Sequence, residues 1–382
     1  MISISQILNW YSQHFESRLT SRYICLNHIN SILSEFKNNG QLNVVGTSEN
    51  GLDILLIKIG NGPKKALAWS QMHGNESTTT KAIFDFLKFL SQNKDFKNEI
   101  KAFKNQWTFY IIPILNPDGA QLYTRENSNN IDLNRDAKNL SQSESMTLRS
   151  VFEDIAPDFC FNLHDQRTIY SLPGKKPATI SFLAPSADSK RTITAARRQA
   201  MLSIIKMNNV LQDLIPGQIG RYDDTFNDNC VGDTFQALNV PTILFEAGHY
   251  PDDYQREKTR ELIFYAFLSF FDFLNPNSEE LTVDDYFKIP ENTTNFSDII
   301  LRNVRLKDVL VDIIIQYEEV LQNQEVVFIP VIDKIEENST KIGHKEIEIR
   351  GEEILLNSHE NVFVNEKIST ISFKKIKKPI IL

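Results

Sequence analysis

Cysteine is scarce, at three in 382 residues. Cys25, Cys160 and Cys230 are odd in number, far apart and form no Cys-x-x-Cys, so they read as reduced packing thiols of a cytoplasmic protein rather than a disulfide framework. Long apolar runs are missing: none approaches the roughly 20 residues that a membrane span needs. The first 37 residues lack the basic head, apolar core and small-residue cleavage site of an export signal. Positive charge is also in deficit. The net charge of −8 excludes a nucleic acid or an anionic membrane as the main partner, though it leaves room for a local basic pocket. No internal repeat or low-complexity tract breaks the chain. What is present is ordinary for a globular protein, with 41% hydrophobic and 24% charged residues, and the length allows two or three domains around a substantial core.

Periodicity divides the chain. Residues 1–40 have apolar positions at helical spacing and end at Asn38-Asn39-Gly40, which predicts N-terminal helices packing on the adjacent domain. From Gln41 short apolar runs take over: Leu42 to Val45, Leu52 to Ile59, Ala66 to Gln71, Trp107 to Ile114, Phe159 to Leu163 and Val240 to Phe245. Helical stretches lie between them at 77–92, 142–155 and 191–214, and a last one spans about 255–274. Ser141 and Glu144 have the spacing of a capping box. This alternation predicts an α/β domain over 41–275, its mostly parallel sheet covered on both faces. Residues 276–300 carry Pro, Asn, Ser and Asp and read as a linker. In 301–382 the segments Val309 to Tyr317, Glu325 to Val331, Glu346 to Ile349 and Asn361 to Val364 predict a small all-β domain. Its basic tail, Lys374, Lys375, Lys377 and Lys378, reads as a solvated edge.

One stretch carries chemistry. Gln71-Met72-His73-Gly74-Asn75-Glu76 joins a strand end to a helix start, with Gly74 free to turn sharply and Glu76 favourably placed against the helix dipole. An imidazole and a carboxylate then face one crevice at the carboxyl edge of the sheet, half of a metal site. A second histidine, His164, ends the strand after Pro157, with Asp165 beside it. A glutamate, Glu246, ends the strand at 245. Arg125 and Arg135 come after the strand at 107–114 on polar loops, and guanidinium forks match carboxylates bidentately. A long Gly/Asp/Asn-rich loop, 219–233, holds Tyr222.

In order and in motif, His73-Gly74-Asn75-Glu76, Asn116-Pro117-Asp118-Gly119, Asp132-Leu133-Asn134-Arg135, Asn162-Leu163-His164 and Phe245-Glu246-Ala247-Gly248 resemble the zinc carboxypeptidase family, the carboxypeptidase A-like metallopeptidases. The resemblance covers about residues 41–274 and implies a mixed eight-stranded sheet with helices on both faces. It implies one Zn2+ per chain held by His73, Glu76 and His164, with Glu246 as general base and Arg125 polarising the scissile carbonyl. Asn134 and Arg135 would grip the carboxylate of a peptide or small amide substrate, and Tyr222, 24 residues before Glu246, is the candidate capping tyrosine. A carboxylate from the stretch Asp228 to Asp233 would favour Lys or Arg at the cleaved end. Asp165 could orient an imidazole, or face solvent or pair with a loop.

Three activities compete for these residues. The first is a carboxypeptidase. The second is an amide deacylase of the aspartoacylase and succinylglutamate desuccinylase type, acting on N-acyl amino acids; Arg125 after Asn-Pro-Asp-Gly weighs against it. The third is a silent binding module, disfavoured because every expected ligand and the base are present.

Overall fold

In a computed structural model, which describes residues 2–274 and 280–381, the chain forms two units. One comprises residues 1–166 and 178–292, the other residues 167–177 and 293–382. In chain order the elements up to residue 292 are α1 (Ile4–His14), α2 (Leu26–Asn38), β1 (Leu42–Thr47), β2 (Asp53–Ile59), β3 (Lys64–Trp69), α3 (Thr78–Ser91), α4 (Lys97–Gln106), β4 (Trp107–Ile112), α5 (Pro117–Leu122), α6 (Ser143–Ile155) and β5 (Phe159–Asp165). They continue with β6 (Ser171–Leu172), β7 (Lys176–Pro177), β8 (Ile180–Leu183), α7 (Ala195–Gln212), β9 (Ile219–Arg221), α8 (Val231–Ala237), β10 (Thr242–Ala247), α9 (Glu257–Phe270) and α10 (Val283–Lys288).

The first unit is built on one eight-stranded sheet, ordered β1-β2-β4-β3-β5-β10-β8-β9. The central strands β4, β3, β5 and β10 run parallel, as the alternation of strand and helix predicts. Antiparallel pairs join β1 to β2, β2 to β4 and β10 to β8. Successive strand residues face opposite sides, so each central strand feeds two cores. Leu67, Trp69, Ile112 and Cys160 pack with Leu148 and Phe152 of α6 and Phe235 of α8. Phe109, Phe161 and Phe245 turn the other way, onto Phe267 of α9, which also stacks on Phe86 of α3. Each such ring contributes about 1.5–3 kcal/mol by leaving water.

The helical N-terminus is tied in by charge as well as by apolar packing. Arg260 of α9 and Asp85 of α3, both fully buried, form a two-point ion pair at 2.6 and 2.7 Å. Tyr11 Oη and the Glu16 N–H donate to the same carboxylate, while Arg260 also donates to the carbonyls of Glu16 and Leu19.

The second unit holds β11 (Phe296–Leu306), β12 (Val309–Gln322), β13 (Glu325–Glu336), β14 (Ile342–Glu348), β15 (Ile354–Leu356) and β16 (Ile371–Phe373). Its four-stranded sheet has the order β13-β12-β11-β14, and β15 pairs with β16. Ile299, Leu301, Ile313, Ile315, Ile332 and Leu356 form its core. The segment 167–177 belongs to it: the Ser171 N–H donates to Thr293 O, Phe296 N–H to Ile169 O, and Gln316 Nε2 to Thr168 Oγ1.

Several local expectations are corrected. Of the stretch read as a linker, 276–279 lie outside the described residues, while 283–288 form α10, whose Val283 and Tyr286 are buried; Ala184 N–H donates to Tyr286 Oη. Residues 296–300 already belong to β11. Asn361 to Val364 form no strand. Ser141 and Glu144 make no capping box: α6 starts at Ser143, and the N–H groups of Ser141 and Gln142 donate to Asp136. The stretch 219–233 read as one long loop begins with β9 and ends in the first residues of α8, and α4 and β8 form where the sequence pattern predicts no element.

Candidate metal centre

The parallel register sets the site. His164 on β5 lies directly opposite Glu246 on β10, so both side chains leave the same sheet face near its carboxyl edge. On the next strand over, β3 ends at Trp69, and the chain turns through His73 to Glu76 before α3. Gly74 is required there, since a Cβ would lie 2.0 Å from the Gly119 carbonyl carbon. The ligand turn therefore packs backbone to backbone on α5, whose first turn is closed by Asn116 accepting from Gly119 N–H.

His73, Glu76 and His164 converge, with one ligand atom from each inside 4.8 Å, and all three are buried. His73 Nδ1 and His164 Nδ1 are 3.1 Å apart, and Glu76 places its two oxygens 2.9 and 2.8 Å from them. Two imidazole nitrogens and a carboxylate aimed at one point in a water-poor site suit a divalent cation that prefers nitrogen and oxygen donors in tetrahedral array. The residues therefore fit Zn2+. Burial alone would raise the Glu76 carboxyl, but the two imidazoles hold it below the usual carboxylate range.

A second layer of contacts fixes these groups. Asp132 Oδ1 lies 3.0 Å from His73 Nε2 and accepts from Asn134 N–H, while Oδ2 accepts from Arg125 at 2.9 Å. Such a carboxylate orients an imidazole whose other nitrogen is a ligand. Nothing local in the sequence marks Asp132 for this role beyond its place in the Asp-Leu-Asn-Arg run. Asp165 does not face solvent or orient an imidazole: its side chain accepts from Thr78 N–H and Oγ1, and its own N–H donates to Glu76 Oε2.

Arg125 Nη1 sits 3.2 Å from His73 Nδ1 and 3.3 Å from Glu76 Oε1. Asn134 and Arg135 form a short 3-10 turn with Leu133. Asn134 Oδ1 accepts from Val231 N–H, and exposed Arg135 donates to Asn134 O and the Cys230 thiol. Glu246 is buried, and its carboxyl is pushed well above its ordinary value by burial and then by Glu76 and Asp165. Tyr222 comes directly after β9 at the sheet edge, with its N–H on Phe182 O. Asp228 pairs with Lys138 in the open, whereas Asp233 is buried, and burial pushes it up to about 7.

An eight-stranded, mostly parallel sheet thus gathers a His–Glu–His group able to hold a metal ion at its carboxyl edge, with a buried glutamate on the adjacent strand. Residues 25–197 match the family model described as zinc carboxypeptidase. Carboxypeptidase SOL1 of Arabidopsis thaliana is 24% identical over 175 residues, 41% of this chain and 36% of that protein. The chain thus spans about a third of that relative. Two crystal structures share the fold. A metallo-carboxypeptidase from Burkholderia cenocepacia aligns with TM-score 0.53 and 17% identity over 65% of this chain and 69% of that one. Thrombin activatable fibrinolysis inhibitor aligns with TM-score 0.52 and 13% identity, over 66% and 74%.

Proposed function

We propose that this protein is a zinc-dependent carboxypeptidase that hydrolyses the C-terminal peptide bond of a peptide substrate. The observation that carries this reading is the buried His73, Glu76 and His164 group with Glu246 as the cross-strand neighbour of His164. These three residues would hold one Zn2+, which when bound supplies a Lewis-acidic centre and draws the pKa of a bound water towards about 7. Glu246, held in a dry site beside other carboxylates, takes a proton from the attacking water and returns it to the leaving amine. The Arg125 guanidinium lies beside Glu76 and His73, where positive charge offsets the charge growing on the scissile carbonyl oxygen.

Asn134 and Arg135 grip the terminal carboxylate. At rest Arg135 contacts a carbonyl and a thiol, neutral acceptors that a carboxylate replaces with a stronger charge-assisted pair. Tyr222 is assigned the capping role. The three free thiols support a cytoplasmic setting. No helix among the described residues is long and apolar enough to cross a membrane.

The test incubates zinc-loaded full-length chain with a peptide library and follows products by mass spectrometry. Stepwise loss of single C-terminal residues is expected. Internal cuts with spared ends would end the exopeptidase reading, and hydrolysis of N-acyl amino acids with peptides untouched would put the deacylase in its place.

A further inference from the structure

Gln71 sits between β3 and the ligand turn, wholly buried, with φ of +44°. Side chains other than glycine avoid this left-handed region because Cβ crowds the backbone. A glycine would meet the backbone requirement without strain, so the long amide must serve another need. All of its hydrogen-bonding groups are engaged. Nε2 donates to Gly74 O at 2.8 Å and to Ile24 O at 2.9 Å, and Oε1 accepts from Thr80 Oγ1 at 2.9 Å. Gly74 is inside the turn that joins His73 to Glu76.

A second tie lies on the far side of the same turn. Ser77, the residue after Glu76, donates its hydroxyl to Arg22 O at 2.5 Å. The carbonyls of Arg22 and Ile24, two residues apart on the segment leading into α2, thus receive one donor from each side of the ligand pair. Thr80 belongs to α3, so Gln71 also links the turn to the helix that comes after it. The Gln71 backbone carbonyl accepts from Asn116 N–H.

We propose that Gln71, with the Arg22 to Ile24 backbone that it and Ser77 engage, is a positioning element that holds His73 and Glu76 in the spacing the metal requires. This rests on the assignment of zinc to His73, Glu76 and His164. The amide spans strand end, turn, helix start and N-terminal segment at once. Loosening it lets the two ligand-bearing residues move independently, and partners outside the ligands themselves commonly change metal affinity about 10- to 100-fold.

The experiment measures zinc affinity by competition with a chromophoric chelator, and the visible absorption of the cobalt(II)-substituted chain, for wild type, Gln71→Gly and Ser77→Ala. Leu268→Ala, in α9 and remote from the turn, controls for general destabilisation. Gln71→Gly keeps the backbone conformation and deletes the ties. It should bind zinc about tenfold or more weakly and shift the cobalt bands, whereas Leu268→Ala lowers the melting temperature and leaves both unchanged. Ser77→Ala, which disturbs no backbone angle, should weaken zinc severalfold and decides the matter if Gln71→Gly does not fold. Zinc affinity and cobalt spectrum equal to wild type in the variants that fold overturn the proposal. Failure of the wild type to bind zinc would instead overturn the metal reading itself.

Discussion

The two units bury polar groups to different extents and to different ends. In the first, carboxylates, imidazoles and guanidinium groups are drawn deep into the protein: β5 is buried along nearly its whole length and still delivers His164 and Asp165. In the second, β13 is half-exposed along most of its residues, and the main ion cluster, Arg302 with Asp312 and Glu346, keeps Glu346 in contact with water. Burying a charge is tolerable only where partners are arranged around it. The first unit therefore commits its polar groups to a converging site and to internal ties. The second is a scaffold of β-branched side chains that buries Asp298 and Asp312 against hydrogen-bond and ion-pair partners but gathers no converging cluster of imidazoles and carboxylates among its described residues.

The sharpest way to break this contrast is at Glu246. Glu246→Gln preserves size and leaves the three ligands in place, so zinc should be retained while kcat falls by several orders of magnitude, on the order of the losses seen when a concerted catalytic group is removed. An unchanged rate would remove Glu246 from the mechanism and leave unit one without its chemical distinction. Next in size is Arg260→Ala. It strands Asp85 in a fully dry site, and loss of one partner of a buried pair is worth about 3–5 kcal/mol. A urea-unfolding shift below about 1 kcal/mol would show that this pair is no more demanding than a surface one.

A third test uses pH. Burial raises the folded-state pKa of Asp233 from 3.8 to about 7, so its stabilising contribution is complete below about 3.8 and is lost as pH rises through 7. Asp233→Asn cannot ionise. Its stability relative to wild type should therefore grow between pH 4 and pH 7, by up to about 4 kcal/mol in the limit set by the shift, and a difference constant with pH would contradict the assigned cause. The smallest effect belongs to unit two: Arg302→Ala should cost about 1–2 kcal/mol, between the values for exposed and buried pairs. A loss matching that of Arg260→Ala would erase the distinction.

The parts of the site readable in sequence are those in which a local pattern coincides with a geometric event. His73, Glu76, His164 and Glu246 each stand where an apolar run stops, and runs of that length are sheet strands whose ends share an edge. Asp132, Gln71 and the Cys230 contact to Arg135 are not legible in this way. Each works through a hydrogen bond to a segment distant along the chain or across a turn, and such bonds leave no periodicity. The misplaced capping box has the same origin, because Asp136 takes up the N–H groups of Ser141 and Gln142. Short elements escape for another reason. α8 and α10 are only seven and six residues long, too few to display a helical repeat, and β11 begins within a stretch whose Asn, Thr and Pro content reads as a connection.

The segment 167–177 leaves the first unit directly after Gln166, contributes to the second, and returns at Ala178. The β-rich unit is thus entered twice by the chain. No stop codon removes it cleanly: ending translation at Asn292 would leave the Ser171 N–H and the Ile169 carbonyl without Thr293 and Phe296, a short way past the candidate ligand His164. Exchanging or deleting this unit requires two coordinated edits, one at the C-terminus and one inside the sequence of the first unit.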